Sequence, residues 1–281
     1  MSKPYAEVIG DPIGQSKSPL IHNFWLEKLD IEAEYRATHV TAERLEGYFA
    51  ERRDDPDWRG CNVTIPHKGN VRVHLGGETE AADSVGAVNT VLPYGTLLAG
   101  HNSDIRGVAC ALGDVADKTA ALIGNGGAAL AALAMLKAGD AAEVRIVARD
   151  IGKSKTLLED FGLDGHALAL GKADIGLDRA DIVINATPLG MDGASPMPSA
   201  LLRALSRTGE DALVFDMVYA PLETALLKAA KAFDRKTVDG LVMLVEQARE
   251  AFFLFFQEEL TEESEALLHR HDAELRELLT R

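Results

Sequence analysis

Short apolar runs alternate with helix-length amphipathic segments along most of the chain, and this alternation predicts an α/β fold. The strands predicted for the first half lie at residues 5–9, 33–40, 61–65, 86–91 and 97–100. Those predicted for the second half lie at residues 119–123, 143–148, 166–170, 181–186, 212–215 and 236–238. Helix-length segments separate the strands of the second half, which is typical of a doubly wound parallel sheet with helices on both faces.

The central stretch combines a strand, a glycine turn and a helix. Residues 119–123 are apolar and strand-like, and the alanine-rich residues 128–138 have a helical composition. Between them, Gly124, Gly126 and Ala129 fit the pattern G-x-G-x-x-[GA]. The missing side chains permit the turn and the approach of a pyrophosphate, while the first N–H groups of the helix face the phosphates. The stretch predicts a dinucleotide site, with an ordinary glycine turn as the alternative.

The chain is long enough for two domains, because 281 residues with 47% hydrophobic side chains can bury a large core. Its 29 basic and 44 acidic residues give a net charge of −15, which argues against nucleic acid or an anionic membrane as a partner. No apolar run approaches about 18 residues and no signal-peptide pattern is present, so we expect a cytoplasmic protein. Cys61 and Cys110 lack metal-ligand spacing and predict reduced thiols in a core, with no metal site.

Two serines near the start of the chain are candidates for anion binding. Ser18 precedes Pro19, as an N-cap precedes a proline at the first helical position, and predicts a helix to about Leu29. The hydroxyls of Ser16 and Ser18 would then lie at the positive end of that helix, where converging donors suit a carboxylate. A cap without any ligand also explains Ser18, and both interpretations stay open at this point.

Lys68 and Asp104 are two further candidates. Pro66 ends the strand at 61–65 and is expected to begin a short helix with Lys68 in its first turn. The helix dipole disfavours a cation there by only about 1 kcal/mol, so Lys68 is expected to be a protonated donor. An exposed surface lysine is the alternative. Asp104 would stand at the start of the next helix, where an acid is often purely structural.

The end of the strand at 143–148 bears on which dinucleotide binds. Arg149 favours NADP, because an arginine there accommodates the 2′-phosphate, and Lys153 lies one helical turn later. Asp150 favours NAD, because an acid at this position takes the ribose hydroxyls. The two basic residues favour NADP, with NAD as the alternative. Residues 187–198 leave the end of a later strand, as loops that line a ligand crevice do.

The C-terminal part has a helical pattern at residues 221–233 and a second predicted helix after Gly240. One face of this helix is apolar and predicts a core-packing stripe, formed by Leu241, Leu244, Ala248, Ala251 and Phe255. Gln247 is a polar residue inside the same segment. Residues 258–281 are charged and heptad-like, which predicts an exposed helix that packs on the body of the protein or on a second chain.

Seven sequence blocks, in order over residues 1 to about 257, resemble the shikimate dehydrogenase family. They are Ser16-Lys17-Ser18-Pro19, Asn62-Val63-Thr64-Ile65-Pro66-His67-Lys68, Gly86-Ala87-Val88-Asn89-Thr90, Asn102-Ser103-Asp104, Gly124-Asn125-Gly126-Gly127-Ala128, Asn185-Ala186-Thr187-Pro188-Leu189-Gly190-Met191 and the segment from Gly240 to Gln247. The resemblance implies an α/β substrate domain of residues 1–105, completed by C-terminal helices at 241–281, and a Rossmann-type domain at 106–240. It also implies an oxidoreductase that reversibly reduces 3-dehydroshikimate to shikimate with NADP, in chorismate and aromatic amino-acid biosynthesis.

The resemblance also implies roles for individual residues. Lys68 and Asp104 resemble the catalytic pair, and Ser16 and Ser18 the donors to the substrate carboxylate. The residues that resemble the groups binding the ring and its hydroxyls are Thr64, Asn89, Tyr219 and Gln247. Those that resemble cofactor-binding residues are Gly124, Asn125, Gly126, Gly127, Ala128, Arg149, Lys153 and Thr187, with Met217 and Gly240 at the nicotinamide end.

Two alternatives to this function stay open. Ala148-Arg149-Asp150 replaces the family's Asn-Arg-Thr, which admits an NAD-preferring quinate/shikimate or related polyol dehydrogenase. A catalytically silent protein that senses a nucleotide or metabolite is the other alternative, because a fold does not fix a function. In each case the expected partner is a small molecule, and the chain would act as a monomer or a homodimer.

Overall fold

The computed structural model describes residues 3–281, which divide into two compact units. The first unit comprises the residues up to Asp104 together with Val245–Arg281, and the second comprises Ile105–Leu244. The strands of the first unit are β1 (Tyr5–Gly10), β2 (Glu34–His39), β3 (Trp58–Val63), β4 (Gly77–Glu78), β5 (Thr90–Tyr94) and β6 (Leu97–His101). The strands of the second are β7 (Thr119–Ile123), β8 (Glu143–Ala148), β9 (Gly165–Ala169), β10 (Ile182–Asn185), β11 (Leu213–Asp216) and β12 (Lys236–Val238).

Helices connect most of these strands. They are α1 (Ser18–Lys28), α2 (Leu45–Arg53), α3 (Glu80–Val85), α4 (Asp104–Leu112), α5 (Gly127–Ala138), α6 (Ile151–Asp160), α7 (Ala173–Gly176), α8 (Ser199–Ala204), α9 (Ala225–Ala232), α10 (Gly240–Phe255), α11 (Ser264–Arg270) and α12 (Asp272–Thr280). Short 3-10 helices lie at Ala42–Arg44, Asn70–His74, Leu170–Lys172 and Leu205–Arg207.

The sheet of the second unit has the strand order β12-β11-β10-β7-β8-β9, with every pair parallel. Successive residues of β7 pack into different cores, Ala120 and Leu122 on one face and Ala121 and Ile123 on the other. This two-sided burial explains why the strands read as continuous apolar runs. The chain order reverses between β7 and β10, which is where a doubly wound sheet opens its ligand crevice. The predicted Rossmann-type fold is confirmed.

The sheet of the first unit has the order β2-β1-β3-β5-β6-β4 and mixes parallel and antiparallel pairs. Because β1 and β3 are parallel and β5 is antiparallel to both of its neighbours, the ends of β1, β3 and β6 and the start of β5 meet at one edge. The candidate site residues of the first unit, other than Gln247 of α10, lie in the segments next to these strand ends. The α/β fold class predicted for this domain is confirmed.

Three sequence predictions of local structure are wrong. The strand expected at 86–91 begins only at Thr90, because Gly86 takes a left-handed conformation (φ 68°) that ends α3. The helix expected at 221–233 is shortened to α9, whose N-cap Thr224 accepts a hydrogen bond from the Leu227 N–H. Cys61 is a buried thiol as expected, but Cys110 lies on the exposed face of α4.

The C-terminal tail packs on its own unit. It forms α11 and α12, which bury Leu268 and Leu275. Arg249 of α10 is only 1% exposed and pairs with Asp272 at 2.6 Å, while Lys28 at the end of α1 pairs with Glu274 at 2.8 Å. The heptad-like pattern allowed packing on the body of the protein or on a second chain, and the structure shows packing on the body of the protein. Within residues 3–281 no helix is long and apolar enough to cross a membrane.

Candidate functional site

Lys68 and Asp104 come together in the first unit as an ion pair. Lys68 Nζ lies 2.6 Å from Asp104 Oδ2, and the two side chains keep 33% and 17% of their surface exposed. The pair is therefore strongly hydrogen-bonded yet still open to a ligand. Asp104 begins α4, and its N–H is bound by the side chain of Asn102 at 3.0 Å. These two candidates, which are 36 residues apart in the chain, thus form one hydrogen-bonded pair.

Lys68 is presented by a turn and not by the helix that Pro66 was expected to begin. The His67 N–H donates to the Thr64 carbonyl at 2.9 Å, and the Lys68 carbonyl accepts the Val88 N–H at 2.8 Å. Because these bonds draw the backbone of the turn toward the segment before β5, the next helical residues start only at Asn70. Lys68 therefore lies outside any helix, and the helix-dipole penalty expected for its charge is wrong.

Asn89 binds the other oxygen of the Asp104 carboxylate. Its Nδ2 donates to Asp104 Oδ1 at 2.9 Å and to Ser103 Oγ at 3.1 Å, while its Oδ1 accepts the Ser103 N–H at 2.8 Å. Asn89 is almost completely buried. The side chain is thus a support for the catalytic candidate Asp104 in addition to being a predicted ring-binding group.

Ser16 and Ser18 lie side by side at the start of α1, but Ser18 is not the N-cap. Lys17 takes that position, because its carbonyl accepts the first helical hydrogen bond from the Ile21 N–H. The Ser18 N–H donates to Ser16 Oγ at 3.3 Å. The Ser18 hydroxyl has no capping bond and is half-buried, so the interpretation of Ser18 as a mere cap is wrong.

Thr64 and Gln247 complete the candidates of the first unit. Thr64 directly follows β3, and its N–H donates to the Ile9 carbonyl at 3.0 Å. A Cβ at Gly10 would lie 2.7 Å from Thr64 Cγ2, so only glycine lets the two strand ends approach this closely. Gln247 is half-buried on α10.

The glycine turn follows β7 in the second unit. Gly124 has a φ of 102°, and a Cβ there would lie 2.5 Å from Thr187 Cγ2. At Gly126 and Gly127 an added Cβ would meet nothing within 4 Å, so these positions leave open space over the start of α5. A phosphate can occupy that space and receive the free N–H groups of the first helical turn, where Ala128 is also exposed. The turn therefore fits a dinucleotide.

Asn125 ties the glycine turn to the next strand and helix. Its Nδ2 donates to the Asp150 carbonyl at 2.8 Å and to Ser154 Oγ at 3.0 Å. Asp150 is the N-cap of α6, and its Oδ1 accepts the Lys153 N–H at 2.9 Å. Asp150 thus has a structural function at the position where the family's threonine stands.

Arg149 and Lys153 are exposed beside this cap. Within residues 3–281 the Arg149 guanidinium forms no ion pair, so it is available to a ligand phosphate. The only carboxylate between the two basic residues in the chain is engaged by the backbone. The arrangement fits the 2′-phosphate of NADP better than two ribose hydroxyls.

A buried polar network after β10 and β11 was not predicted from the sequence. Asn185 Oδ1 accepts both the N–H and the hydroxyl of Thr187, and Asn185 Nδ2 donates to Asp216 Oδ1 at 2.8 Å. Asp216 also accepts the Val218 N–H and the Thr224 hydroxyl. Burial raises the pKa of the Asp216 carboxyl, although all three hydrogen bonds favour its charged form. An acid at the end of a predicted strand was the available signal.

Met217 and Gly240 are in contact through their backbones. A Cβ at Gly240 would lie 2.4 Å from the Met217 carbonyl oxygen, so only glycine lets the start of α10 approach the Met217 backbone this closely. The Met217 N–H donates to the Asn185 carbonyl at 3.1 Å. Tyr219 follows and is 39% exposed. Within residues 3–281 no cluster of three or more His, Cys, Asp or Glu side chains could hold a metal ion.

Comparisons with known proteins cover most of the chain. A family model described as the shikimate dehydrogenase substrate binding domain matches residues 8–91, and one described as shikimate / quinate 5-dehydrogenase matches residues 108–216. A protein of Sphingopyxis alaskensis named shikimate dehydrogenase (NADP(+)) is 46% identical over 259 residues, which cover 91% of this chain and 92% of that protein.

Solved structures agree with these matches. Shikimate 5-dehydrogenase from Thermus thermophilus, in complex with NADP(H) and shikimate, has a TM-score of 0.79 and 34% identity, covering 95% of this chain and 97% of that one. The enzyme from Listeria monocytogenes, in complex with shikimate and NAD, has a TM-score of 0.84 and 27% identity, covering 95% and 96%.

Proposed function

The chain belongs to the shikimate dehydrogenase family, and from this premise we propose that it catalyses the reversible NADP-linked reduction of 3-dehydroshikimate to shikimate. The observation that carries the proposal is the contact of Lys68 Nζ with Asp104 Oδ2 at 2.6 Å, which holds a partly exposed lysine side chain at one sheet edge. An ammonium group suits the reduction of a ketone, because negative charge develops on the carbonyl oxygen as it becomes an alkoxide.

Bound NADPH supplies the hydride. We propose that Lys68 Nζ donates a hydrogen bond or a proton to the developing alkoxide oxygen, while Asp104 holds the ammonium charged and oriented. Because the two groups share one short hydrogen bond, they titrate as a unit, and the pair as a whole gives up the proton. In the oxidation of shikimate the same unit accepts the hydroxyl proton.

The proposed substrate contacts follow from donor chemistry. The hydroxyls of Ser16 and Ser18, at the start of α1, would bind the carboxylate. Thr64, Asn89, Tyr219 and Gln247 would bind the ring and its hydroxyls, as the family motif implies. Asn89 also donates a hydrogen bond to Asp104 of the proposed catalytic pair.

For the cofactor we propose that the glycine turn with Gly124, Gly126 and Gly127 binds the pyrophosphate. The open space over the start of α5 supports this placement of the pyrophosphate. Arg149 and Lys153 would bind the 2′-phosphate. The remaining proposed contacts are Asn125, Ala128 and Thr187 around the turn, and Met217 and Gly240 at the nicotinamide end. The NAD alternative rested on Asp150, whose carboxylate instead caps α6.

The proposal is tested by steady-state kinetics with shikimate and quinate against NADP⁺ and NAD⁺. We expect the highest kcat/KM with shikimate and NADP⁺, and a collapse of that turnover in Lys68→Ala. A purified protein that binds NADP and shikimate by calorimetry without turnover would instead support a sensing function. We further propose action in the cytoplasm, which suits the absence of a disulfide between Cys61 and Cys110. We also propose that the chain acts as a monomer or homodimer, which light scattering would distinguish.

A further inference from the structure

We propose that Tyr35, Asn62 and Thr90 are positioning residues that fix the Asn89 amide toward Asp104. This inference rests on the proposed function, in which Asp104 and Lys68 form the catalytic pair. None of the three residues carries a role implied by the family motif. All are buried in the first unit, with Tyr35 only 1% exposed, and their hydrogen bonds connect end to end.

The orientation of Asn89 is set by a donor that cannot change. The Ser103 N–H is a backbone donor and lies 2.8 Å from Asn89 Oδ1, so that atom must be the amide oxygen. The amide nitrogen then points at Asp104 Oδ1, 2.9 Å away. Rotation of this amide would replace an attractive bond with a repulsion between two acceptors at Asp104.

Thr90 supplies the second bond that holds this orientation. Its Oγ1 donates to Asn89 Oδ1 at 2.9 Å and accepts from Asn62 Nδ2 at 3.1 Å. Asn62 Nδ2 also donates to the Asn89 backbone carbonyl at 3.2 Å, and a carbonyl can only accept. The Thr90 hydroxyl hydrogen is thereby directed at Asn89, because its oxygen already receives the Asn62 amide.

Tyr35 fixes Asn62 in turn. Its hydroxyl donates to Asn62 Oδ1 at 2.6 Å, and its ring stacks on His22 with the ring centres 3.9 Å apart. Burial raises the pKa of the Tyr35 phenol well above its ordinary value, so the group stays protonated and keeps its donor. The donors therefore run in one direction, from the phenol through Asn62 and Thr90 to Asn89.

The side chain of Ser18, a proposed donor to the substrate carboxylate, acts to lower the pKa of the same phenol, but burial has the larger effect. Since the members of the hydrogen-bond network are buried, bulk water does not replace a lost partner, and a gap leaves a polar atom unsatisfied. Loss of one hydroxyl is expected to loosen Asn89 and, through it, Asp104.

Thr90→Val and Tyr35→Phe test the proposal, because each removes one hydroxyl with little change in shape. We expect kcat for shikimate oxidation to fall on the order of 10 to 100-fold, as for a catalytic group displaced by a fraction of an ångström, with the KM for NADP⁺ unchanged. Thr90→Ser keeps the hydroxyl and should restore most of kcat.

Tyr48→Phe is the matched control. The Tyr48 hydroxyl is buried in the same unit and donates to Glu7 Oε1 at 2.8 Å, outside the network. This variant should lose stability comparable to that of Tyr35→Phe but keep kcat. Equal losses of kcat in Tyr48→Phe, unchanged kcat in Thr90→Val, or failure of Thr90→Ser to restore kcat would overturn the proposal.

A second measurement does not depend on turnover. In protein labelled with ¹⁵N at asparagine, the Asn89 side-chain amide signals are identified by their loss in Asn89→Ala. We expect them to be sharp and slow to exchange in the wild type and in Tyr48→Phe, but broadened in Thr90→Val. Unaltered signals in Thr90→Val would refute the positioning role. An inactive wild type with this NMR pattern would refute only the proposed function.

Discussion

The carboxylate of Asp150 accepts the backbone N–H of Lys153 at 2.9 Å and thereby caps α6. An acid at the end of this strand usually binds the ribose hydroxyls, but here its carboxylate oxygen accepts a backbone N–H of the first turn of α6. The charges next to the expected 2′-phosphate are therefore those of Lys153 and of Arg149, whose guanidinium forms no ion pair within residues 3–281. Cofactor preference should depend on that arginine.

Arg149→Ala should weaken NADP more than NAD. We expect the KM for NADP⁺ to rise about 10-fold or more, because a charge-assisted hydrogen bond contributes about 1.5–3 kcal/mol, while the KM for NAD⁺ changes little. Steady-state kinetics with both nucleotides measures the difference. Lys155→Ala, at an exposed lysine of the following helix α6, is the control. An equal rise for both nucleotides would contradict binding of the 2′-phosphate by Arg149.

Two glycine substitutions should separate folding from cofactor binding. Gly124→Ala forces a side chain into a left-handed conformation and against Thr187, so we expect it to lose about 1–3 kcal/mol of stability as well as NADP binding. Gly126→Ala meets no protein atom and has a negative φ, so its stability should be unchanged or slightly raised. It should nevertheless raise the KM for NADP⁺, because its methyl group occupies the phosphate space.

Thermal unfolding and NADP⁺ titration of both glycine variants measure these effects. Normal NADP⁺ affinity in Gly126→Ala would place the pyrophosphate elsewhere.

Lys68→Ala should lower kcat by about 10² to 10⁴-fold, the usual contribution of a positioned acid or base, and leave NADP binding intact. Asp104→Asn should also lower kcat, because an amide neither holds the ammonium charge nor accepts its proton. Calorimetric titration with NADP⁺ checks that the cofactor unit is unaffected. Substantial turnover in Lys68→Ala would remove this lysine from the mechanism.

His22 predicts a pH dependence of stability. Burial lowers the pKa of His22 from 6.5 to about 3, so the folded protein keeps this ring neutral. Between pH 6.5 and 3 the unfolded chain binds a proton there that the folded chain does not bind. Stability should therefore fall with decreasing pH in that window, with His22 contributing about 1.4 kcal/mol per pH unit.

Urea titrations at pH 7.5, 6.5 and 5.5 measure this slope. His22→Phe keeps a ring against Tyr35 and should reduce the slope by about one proton, whereas His39→Gln, at an exposed histidine, should leave most of it. An identical slope in His22→Phe would show that His22 takes up its proton in the folded state.

The glycine turn could be predicted from the sequence because its pattern is local. Gly124 and the helix after it lie within a few residues, and their conformations follow from missing side chains. The contact of Lys68 with Asp104 could not be predicted from spacing, since it depends on the order of strands in the first sheet. The sequence predicts both residues as separate candidates, the family resemblance implies that they act as a pair, and the structure supplies the geometry.

The function of Asp150 and the buried hydrogen-bond network could not be predicted from the sequence. An acid such as Asp150 suits both a ribose and a helix start, and only the direction of the Lys153 N–H decides between them. The buried network of Tyr35, Asn62 and Thr90 joins three separate strands or strand ends. Each of these residues looks ordinary in its own segment, and the pattern exists only after the sheet has formed.

The pairing of Arg249 with Asp272 sets a practical limit on how the protein can be shortened. Deleting the chain after Gln257 would remove that carboxylate, and depriving a buried charge of one partner costs about 3–5 kcal/mol. The same deletion would remove Glu274 from Lys28, at the far end of the helix that begins with Ser18. A trimmed variant for crystallisation should therefore keep every residue through α12.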